Sequence, residues 1–415
     1  MINSYNDHKR YLILNLINHL RSVSRTDLAD LTGYQLASIS TLTKQLIEEN
    51  ILKETGSYSA GQGRKRTLLT LNSQYLCAIS ISFSETEISC ITAQFDGNIL
   101  SKQTLDFSTD ASRSGLCDRV CKLINHALSE FADRNIIGIG LCTPVNDPAN
   151  FPIVSMNPEY RQLRDWIQKV LLPFLQEKFS LPIALFHDNA LPALVEKSFG
   201  AAQDVSDFIC VELSNGIGCS ICTNGKPVIG SGAYAGELGH TVIDKSQISR
   251  GICYCGKPGC IEHYTALPVL LEQITRESAG RTYTLLPKED SPAPITAETL
   301  AQGAENGDLL CRHYLRQAAE DLGLAISNAV MLLNPERIIL FGHMLSLGDY
   351  FLDRLKDAIL DNLSPKSALK RQDIIVSQLL PEQLPLGAIS ELFASYLKKE
   401  DFSWVYCLPQ NFTNK

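Results

Sequence analysis

"GELGHTVIDKSQISRGICYCGKPGCIEHY", residues 236 to 264, sets His240, Cys253, Cys255 and Cys260 in one short run, with Glu237 ahead of them and Glu262 just behind. The spacing is H-x12-C-x-C-x4-C. "CYCGKPGC" forms a tight knuckle in which Gly256 and Gly259 let the backbone wrap an ion. Zinc favours four such N and S donors, and a site filled by four protein ligands is closed and structural, with no open position for activating water. Three reduced cysteines in a loop would otherwise be exposed thiols with no packing role. The expected cofactor is therefore a structural Zn²⁺ held by His240, Cys253, Cys255 and Cys260.

The chain around this run is long and ordinary. Its 415 residues, 45% hydrophobic and 20% charged, suggest two or three domains. No apolar run of about 18 residues occurs, and "MINSYNDHKRYLILNLINHL" has neither a basic n-region nor an apolar h-region, so we expect a cytoplasmic protein without membrane insertion. An odd count of 13 cysteines with no secretory signal favours reduced thiols. Cys77, Cys90, Cys210, Cys219 and Cys222 lie in apolar runs and read as buried packing residues.

The net charge of −8 is unevenly spread. Residues 1–75 carry nine Lys and Arg against six acids, or +3, whereas the rest carries 28 basic and 39 acidic residues, or −11. This asymmetry fits a small domain that meets phosphate joined to a larger one that does not. In the first segment Leu12, Leu16, Ile17 and Leu20 recur at helical spacing. Ser24 then caps a short helix that runs through Leu31, Gly33 makes a turn, and a second helix covers roughly 35–49. Two β-prone runs follow around a Gly/Ser-rich tip that ends in Arg64, Lys65 and Arg66. The helix pair alone would also fit an αα-hairpin, and the basic tip alone a solvated loop; together they predict a winged helix-turn-helix. Its second helix would lie in the major groove and present Gln35, Ser38, Ser40, Thr41 and Lys44, with Ala37, Ile39, Leu42 and Leu46 facing the domain. Because that helix has one lysine and no arginine, Arg64, Lys65 and Arg66 are expected to supply further phosphate or minor-groove contact.

From about Tyr75 strands and helices alternate. "YLCAISISFSETEISCITAQFDGNIL" turns at Asp96-Gly97, "DFICVELSNGIGCSICTNGKPVIG" turns at Asn224-Gly225, and "CRHYLRQAAEDLGLAISNAVMLLN" is a long helix stopped at Asn334-Pro335. Strands first, then helix, repeated over two halves, predict an α/β duplication with a ligand cleft between the halves.

Glu-x-Gly-His at Glu237–His240, followed by Cys-x-Cys-Gly-x-x-Gly-Cys-x-Glu over Cys253–Glu262, resembles the signature of the ROK family (repressors, open reading frames and sugar kinases). The resemblance covers nearly the whole chain, and a winged helix ahead of it is similar to the family's transcriptional repressors. It implies an α/β fold in which an N-terminal winged helix-turn-helix (1–74) precedes a two-lobed actin/hexokinase-like domain. Lobe 1 would span 75–190 and lobe 2, with the zinc loop, 191–400; the C-terminal helix could return to lobe 1, and 401–415 form a tail.

By position the resemblance also implies a sugar site of Asn157, Asp188, Glu237, His240 and Glu262. Carboxylates and amides pair with vicinal hydroxyls, and a metal-bound histidine offers its other nitrogen in a fixed direction. Asp188 matches the general base of the family's kinases. The expected catalytic set is nevertheless empty, because the ATP-phosphate motif Asp-x-Gly-Gly-Thr is replaced by "SFSET": Ser82 stands for the aspartate, and Ser84 and Glu85 for the glycines. Asn215 in "SNGIG" and His343 in "LFGHML" depart from the family's nucleotide loops as well. The expected function is a sugar-responsive repressor of carbohydrate genes, a homodimer or homotetramer that binds a double-stranded DNA operator and a small sugar. A sugar kinase with an accessory DNA-binding domain, or a repressor controlled by a protein partner, are the alternatives.

Overall fold

The computed structural model describes residues 2–58, 65–83, 87–106, 115–143, 163, 165–231, 234–243, 251–278, 284, 286 and 294–398. Arg64, Ser84, Glu85 and Asn157 lie outside the described residues. The chain divides into two compact units: residues 1–143, 167–186 and 388–415 form one, and 144–166 with 187–387 the other.

The first unit opens with helix α1 (Ile2–Leu20), a two-residue strand β1 (Val23–Ser24), α2 (Arg25–Thr32) and α3 (Leu36–Glu48). Strands β2 (Leu52–Tyr58) and β3 (Arg66–Leu71) complete a three-stranded sheet of order β1-β3-β2. Local chemistry sets these boundaries. The Ser24 hydroxyl accepts the Asp27 amide and the Asp27 carboxylate accepts the Ser24 amide, a capping box at the start of α2. Gly33, at φ 71°, ends that helix by donating its amide to the Ala29 carbonyl at 2.9 Å. Ile13, Leu14, Ile17, Leu28, Ile39, Leu46, Leu52 and Leu69 are all buried. Three helices and a β-hairpin make the winged helix expected from the sequence.

The same unit holds a five-stranded sheet of order β6-β5-β4-β7-β8. Its strands are β4 (Leu76–Phe83), β5 (Glu87–Gln94), β6 (Ile99–Asp106), β7 (Asn135–Thr143) and β8 (Ile183–His187), with α4 (Leu116–Glu130) between β6 and β7 and α5 (Leu172–Lys178) before β8. β4, β5 and β6 run antiparallel through the Asp96-Gly97 turn, and β7 joins β4 in parallel. A Cβ on Gly140 would lie 3.0 Å from Ala388 Cβ and 3.2 Å from a Phe186 ring carbon, so glycine on β7 admits the residues that begin the unit's last helix.

The second unit repeats the plan. After α6 (Leu191–Ser198), a sheet of order β11-β10-β9-β12-β13 contains β9 (Phe208–Leu213), β10 (Ile217–Thr223), β11 (Lys226–Pro227), β12 (Arg337–Phe341) and β13 (Ile374–Val376). Again three strands are antiparallel and the next ones parallel, with Asn224 and Gly225 both at positive φ in the β10–β11 turn. Helices α7 (Glu262–Thr265), α8 (Leu267–Ser278), α9 (Ala297–Glu305), α10 (Leu309–Leu333) and α11 (Gly348–Asp361) follow, α10 ending at left-handed Asn334. Leu315, Leu322, Ile326, Phe351 and Leu355 are among the core residues here. The last element among the described residues is α12 (Leu386–Lys398), whose residues from Ala388 onward belong to the first unit. No helix among the described residues is long and apolar enough to cross a membrane.

Candidate functional site

The chain leaves β11 and returns to β10 at Gly236, whose carbonyl accepts the Cys219 amide at 2.9 Å. Gly236 has φ 91°, and a Cβ there would sit 1.7 Å from the Cys219 carbonyl oxygen, so only glycine fits. The next residues, Glu237 and the 3₁₀ turn Leu238–His240, are thereby pressed against the strand. Two arms of the following loop zip together: Ile243 N donates to Gly259 O at 2.9 Å and Ile261 N to Thr241 O at 3.1 Å. Between them Gly256 N closes on Cys253 O at 2.8 Å, the knuckle read from the sequence.

This folding gathers the four proposed ligands. One ligand atom each from His240, Cys253, Cys255 and Cys260 lies within 4.8 Å of the other three. Cys255 Sγ is 3.3 Å from Cys260 Sγ, and Cys253 Sγ is 3.7 Å from His240 Nδ1. Around a tetrahedral ion with bonds of about 2.0–2.3 Å, neighbouring donors sit roughly 3.3–3.8 Å apart. The cluster can therefore hold a metal with little adjustment. Burial pushes the Cys253 thiol up to about 11 and that of Cys260 further, so an ion must displace protons to bind.

Three carboxylates surround the same turn. Asp188, exposed, begins the 3₁₀ turn Asp188–Ala190 after β8, and Asn189 ties that turn to the loop ahead of Glu237 by donating to the Ala235 carbonyl at 3.1 Å. Glu262 is buried at the start of α7 and accepts the Ile217 amide at 2.7 Å. Burial first, then the charges of Asp188 and Glu262, push the Glu237 carboxyl up to about 7. His240 Nε2 lies 3.8 Å from Glu237 Oε2. Asp188, Glu237, His240 and Glu262 thus converge within the second unit.

Two contacts here were not read from the sequence. The Tyr254 hydroxyl lies 2.9 Å from His240 Nε2, with the two rings edge to face at 5.0 Å. Ser214 Oγ lies 2.7 Å from His343 Nδ1, joining the β9–β10 turn to the turn after β12 across a long stretch of sequence. A tyrosine between two metal-ligand cysteines was a visible signal for the first; nothing local announced the second.

In the winged helix Gln35, Thr41 and Lys44 are exposed on α3, and Ser38 and Ser40 are half-buried. The expected inward face needs a correction: Ile39, Thr43 and Leu46 are the buried residues of α3, and Ala37 is exposed. At 100° per residue, Ala37 stands about 200° from Ile39, on the opposite side, whereas Thr43 follows Ile39 by one turn. Thr43 Oγ1 donates to Ile39 O at 2.9 Å and accepts Arg25 Nε at 3.0 Å, which satisfies its buried hydroxyl. Lys65 is exposed, but Arg66 pairs with Asp27 of the capping box at 2.7 Å.

The pattern of the ROK family matches residues 78–392. The chain is 27% identical over 399 residues to the "Xylose repressor" of Caldicellulosiruptor bescii, covering 95% of this chain and 97% of that one. It is 25% identical to the "DNA-binding transcriptional dual regulator NagC" of Escherichia coli K12, covering 91% and 90%. Among solved structures, a ROK family transcriptional regulator described as a homolog of the E. coli MLC protein superposes with TM-score 0.75 at 24% identity, over 94% of this chain and 96% of that one. The ROK hexokinase of Thermus thermophilus superposes with TM-score 0.61 at 22% identity, over 77% and 99%.

Proposed function

This chain belongs to the ROK family, and from that membership we propose that it is a sugar-responsive transcriptional repressor whose winged helix binds an operator and whose second unit binds the effector. One observation carries the reading: a winged helix and a ROK domain lie in one chain, which relatives named as repressors match over nearly their whole length. Gln35, Ser38, Ser40, Thr41 and Lys44 would read DNA from α3, aided by Lys65 and Arg64. Arg66, held by Asp27, would brace the wing. The protein would act as a homodimer or homotetramer on a near-palindromic operator. Its target genes would serve carbohydrate uptake or catabolism.

The effector would be a hexose-type sugar, held by Asp188, Glu237, His240 and Glu262, with Asn157 a further contact. The donor set of three thiols and an imidazole suits Zn²⁺, which, when bound, supplies no reaction but pins the loop. With Nδ1 turned to the thiols, His240 keeps Nε2 for a hydroxyl. Binding is reciprocal: a sugar that weakens DNA affinity must bind less tightly to the DNA-bound protein.

A retained kinase activity is disfavoured. Besides Ser82 and Glu85 in place of the first phosphate loop, His343 stands in the second glycine position of "LFGH" and is bonded to Ser214 of the other loop. His343 thus stands, with a side-chain partner, at a position where the family's loop carries glycine. Thermal unfolding with D-glucose, D-xylose and N-acetyl-D-glucosamine, operator binding by fluorescence anisotropy with and without each sugar, and ATP consumption with the same sugars test the reading. Salt-sensitive operator binding released by one sugar, without ATP turnover, is expected. Turnover, or operator binding indifferent to every sugar, contradicts it.

A further inference from the structure

Tyr254 stands between Cys253 and Cys255 of the donor cluster, and its ring lies edge to face across His240 at 5.0 Å. His240 Nδ1 faces Cys253 Sγ at 3.7 Å, which leaves Nε2 as the nitrogen that looks away from the thiols. An imidazole whose Nδ1 lone pair serves the cluster carries its proton on Nε2. It therefore donates to the Tyr254 oxygen 2.9 Å away. The Glu262 carboxylate is a close charged neighbour of the same phenol. Glu262 is itself fixed, since its Oε2 accepts the Ile217 amide at 2.7 Å.

A single hydroxyl thus accepts from an imidazole N–H with a carboxylate close by. A sugar hydroxyl has the same donor and acceptor capacity. We propose that the Tyr254 hydroxyl holds the place of an effector hydroxyl on His240 Nε2, beside Glu262, which makes Tyr254 an affinity-determining residue of the effector site. The inference rests on the sugar-binding reading above and adds to it a competitor inside the site. While the effector is absent, the phenol occupies His240 Nε2. When the effector arrives, the phenol is exchanged for one of its hydroxyls, and the net gain is only the difference between two similar sets of hydrogen bonds.

Removing the phenolic oxygen removes that competition. In Tyr254→Phe no phenolic oxygen sits on His240 Nε2, and a sugar hydroxyl takes that position with nothing to displace. The expected gain is roughly five-fold in affinity, the size of one net hydrogen bond. The measurement is calorimetric titration of the full-length parent and Tyr254→Phe with D-glucose, D-xylose and N-acetyl-D-glucosamine, alongside metal content and thermal unfolding of each protein. The proposal expects equal zinc, a lower melting temperature for the sugar-free variant, and several-fold tighter binding of whichever sugar binds the parent. Equal or weaker binding overturns it and leaves the sugar reading standing. Loss of zinc overturns it too, because Tyr254 would then be a strut of the loop. No binding of any sugar to either protein overturns the sugar reading and this inference with it.

Discussion

Arg10 of α1 reaches Glu49 at the end of α3 with Nη2 and Oε2 2.5 Å apart. The Tyr396 hydroxyl of α12 lies beside the same guanidinium, and Asn15 donates to the Leu397 carbonyl of that helix at 3.4 Å. One arginine therefore joins the first, third and last helices of a single compact unit. Arg10→Ala should cost about 0.5–1 kcal/mol of stability, the range of a partly exposed pair, and loosen α3. Its hydrogen bond to Arg10 holds the Glu49 carboxyl below its ordinary 4.5. The stabilisation is then complete above the unfolded value and lost as the pH falls through the folded one. The urea midpoints of the parent and Glu49→Gln should differ at pH 7 and converge as the pH falls below the ordinary carboxylate range.

Two basic residues of the winged helix are expected to behave differently from a third. Lys44 and Lys65 are exposed, so Lys44→Ala or Lys65→Ala should weaken operator binding across sequences and lower the slope of log affinity against log salt by about 1 each. Arg66 is bound to Asp27, which also caps α2. Arg66→Ala should instead lower the thermal stability of the winged helix by a few degrees, corresponding to roughly 1 kcal/mol, and change the salt slope less than the lysine variants. Anisotropy at four salt concentrations separates the two behaviours.

Much of this was legible because it is local. The Ser24 cap, Gly33, the Asp96-Gly97 and Asn224-Gly225 turns and the stop at Asn334-Pro335 each depend on a few neighbouring residues, and the cysteine knuckle on eight. The inward face of α3 was misread at Ala37 because residue size was followed there in place of helical phase; Thr43, polar by composition, is buried because Arg25 and the Ile39 carbonyl satisfy it. Arg10–Glu49 and Ser214–His343 join residues far apart in the chain, and no periodicity encodes such a meeting. Tyr254 is intermediate: its neighbours were read as ligands, but the direction of its ring depends on how the knuckle closes.

Gly236 offers a test of how the carboxylates are presented. Any side chain there meets the Cys219 carbonyl, and φ 91° is itself strained for an L-residue. Gly236→Ala should cost about 2–4 kcal/mol, through backbone strain and the loss or lengthening of the Cys219 N–Gly236 O bond. Since Glu237 follows directly, sugar-induced thermal shifts should fall more than operator affinity does. Equal losses in both would mean general unfolding, which the far-ultraviolet circular dichroism of the variant would show.

Metal removal should separate the two halves of the function most cleanly. Burial pushes the Cys253 thiol up to about 11, so a cation must displace its proton, acid competes with metal and affinity falls as the pH drops. Cys253→Ala deletes one of four donors next to the His240 Nδ1 edge. It should reduce zinc from one ion per chain to well below that at neutral pH, and raise the pH at which the residual metal is half-released. The loop arms 241–243 and 259–261 would then lose the pin that holds His240 and Glu262 in register, although their backbone bonds remain. Operator binding by the winged helix, which contains none of the ligands, should persist while relief by sugar disappears. Metal content by plasma emission, set beside operator anisotropy with and without sugar, decides the point: a Cys253→Ala protein that keeps both its zinc and its sugar response would show that the cluster neither binds the ion nor organises the effector site.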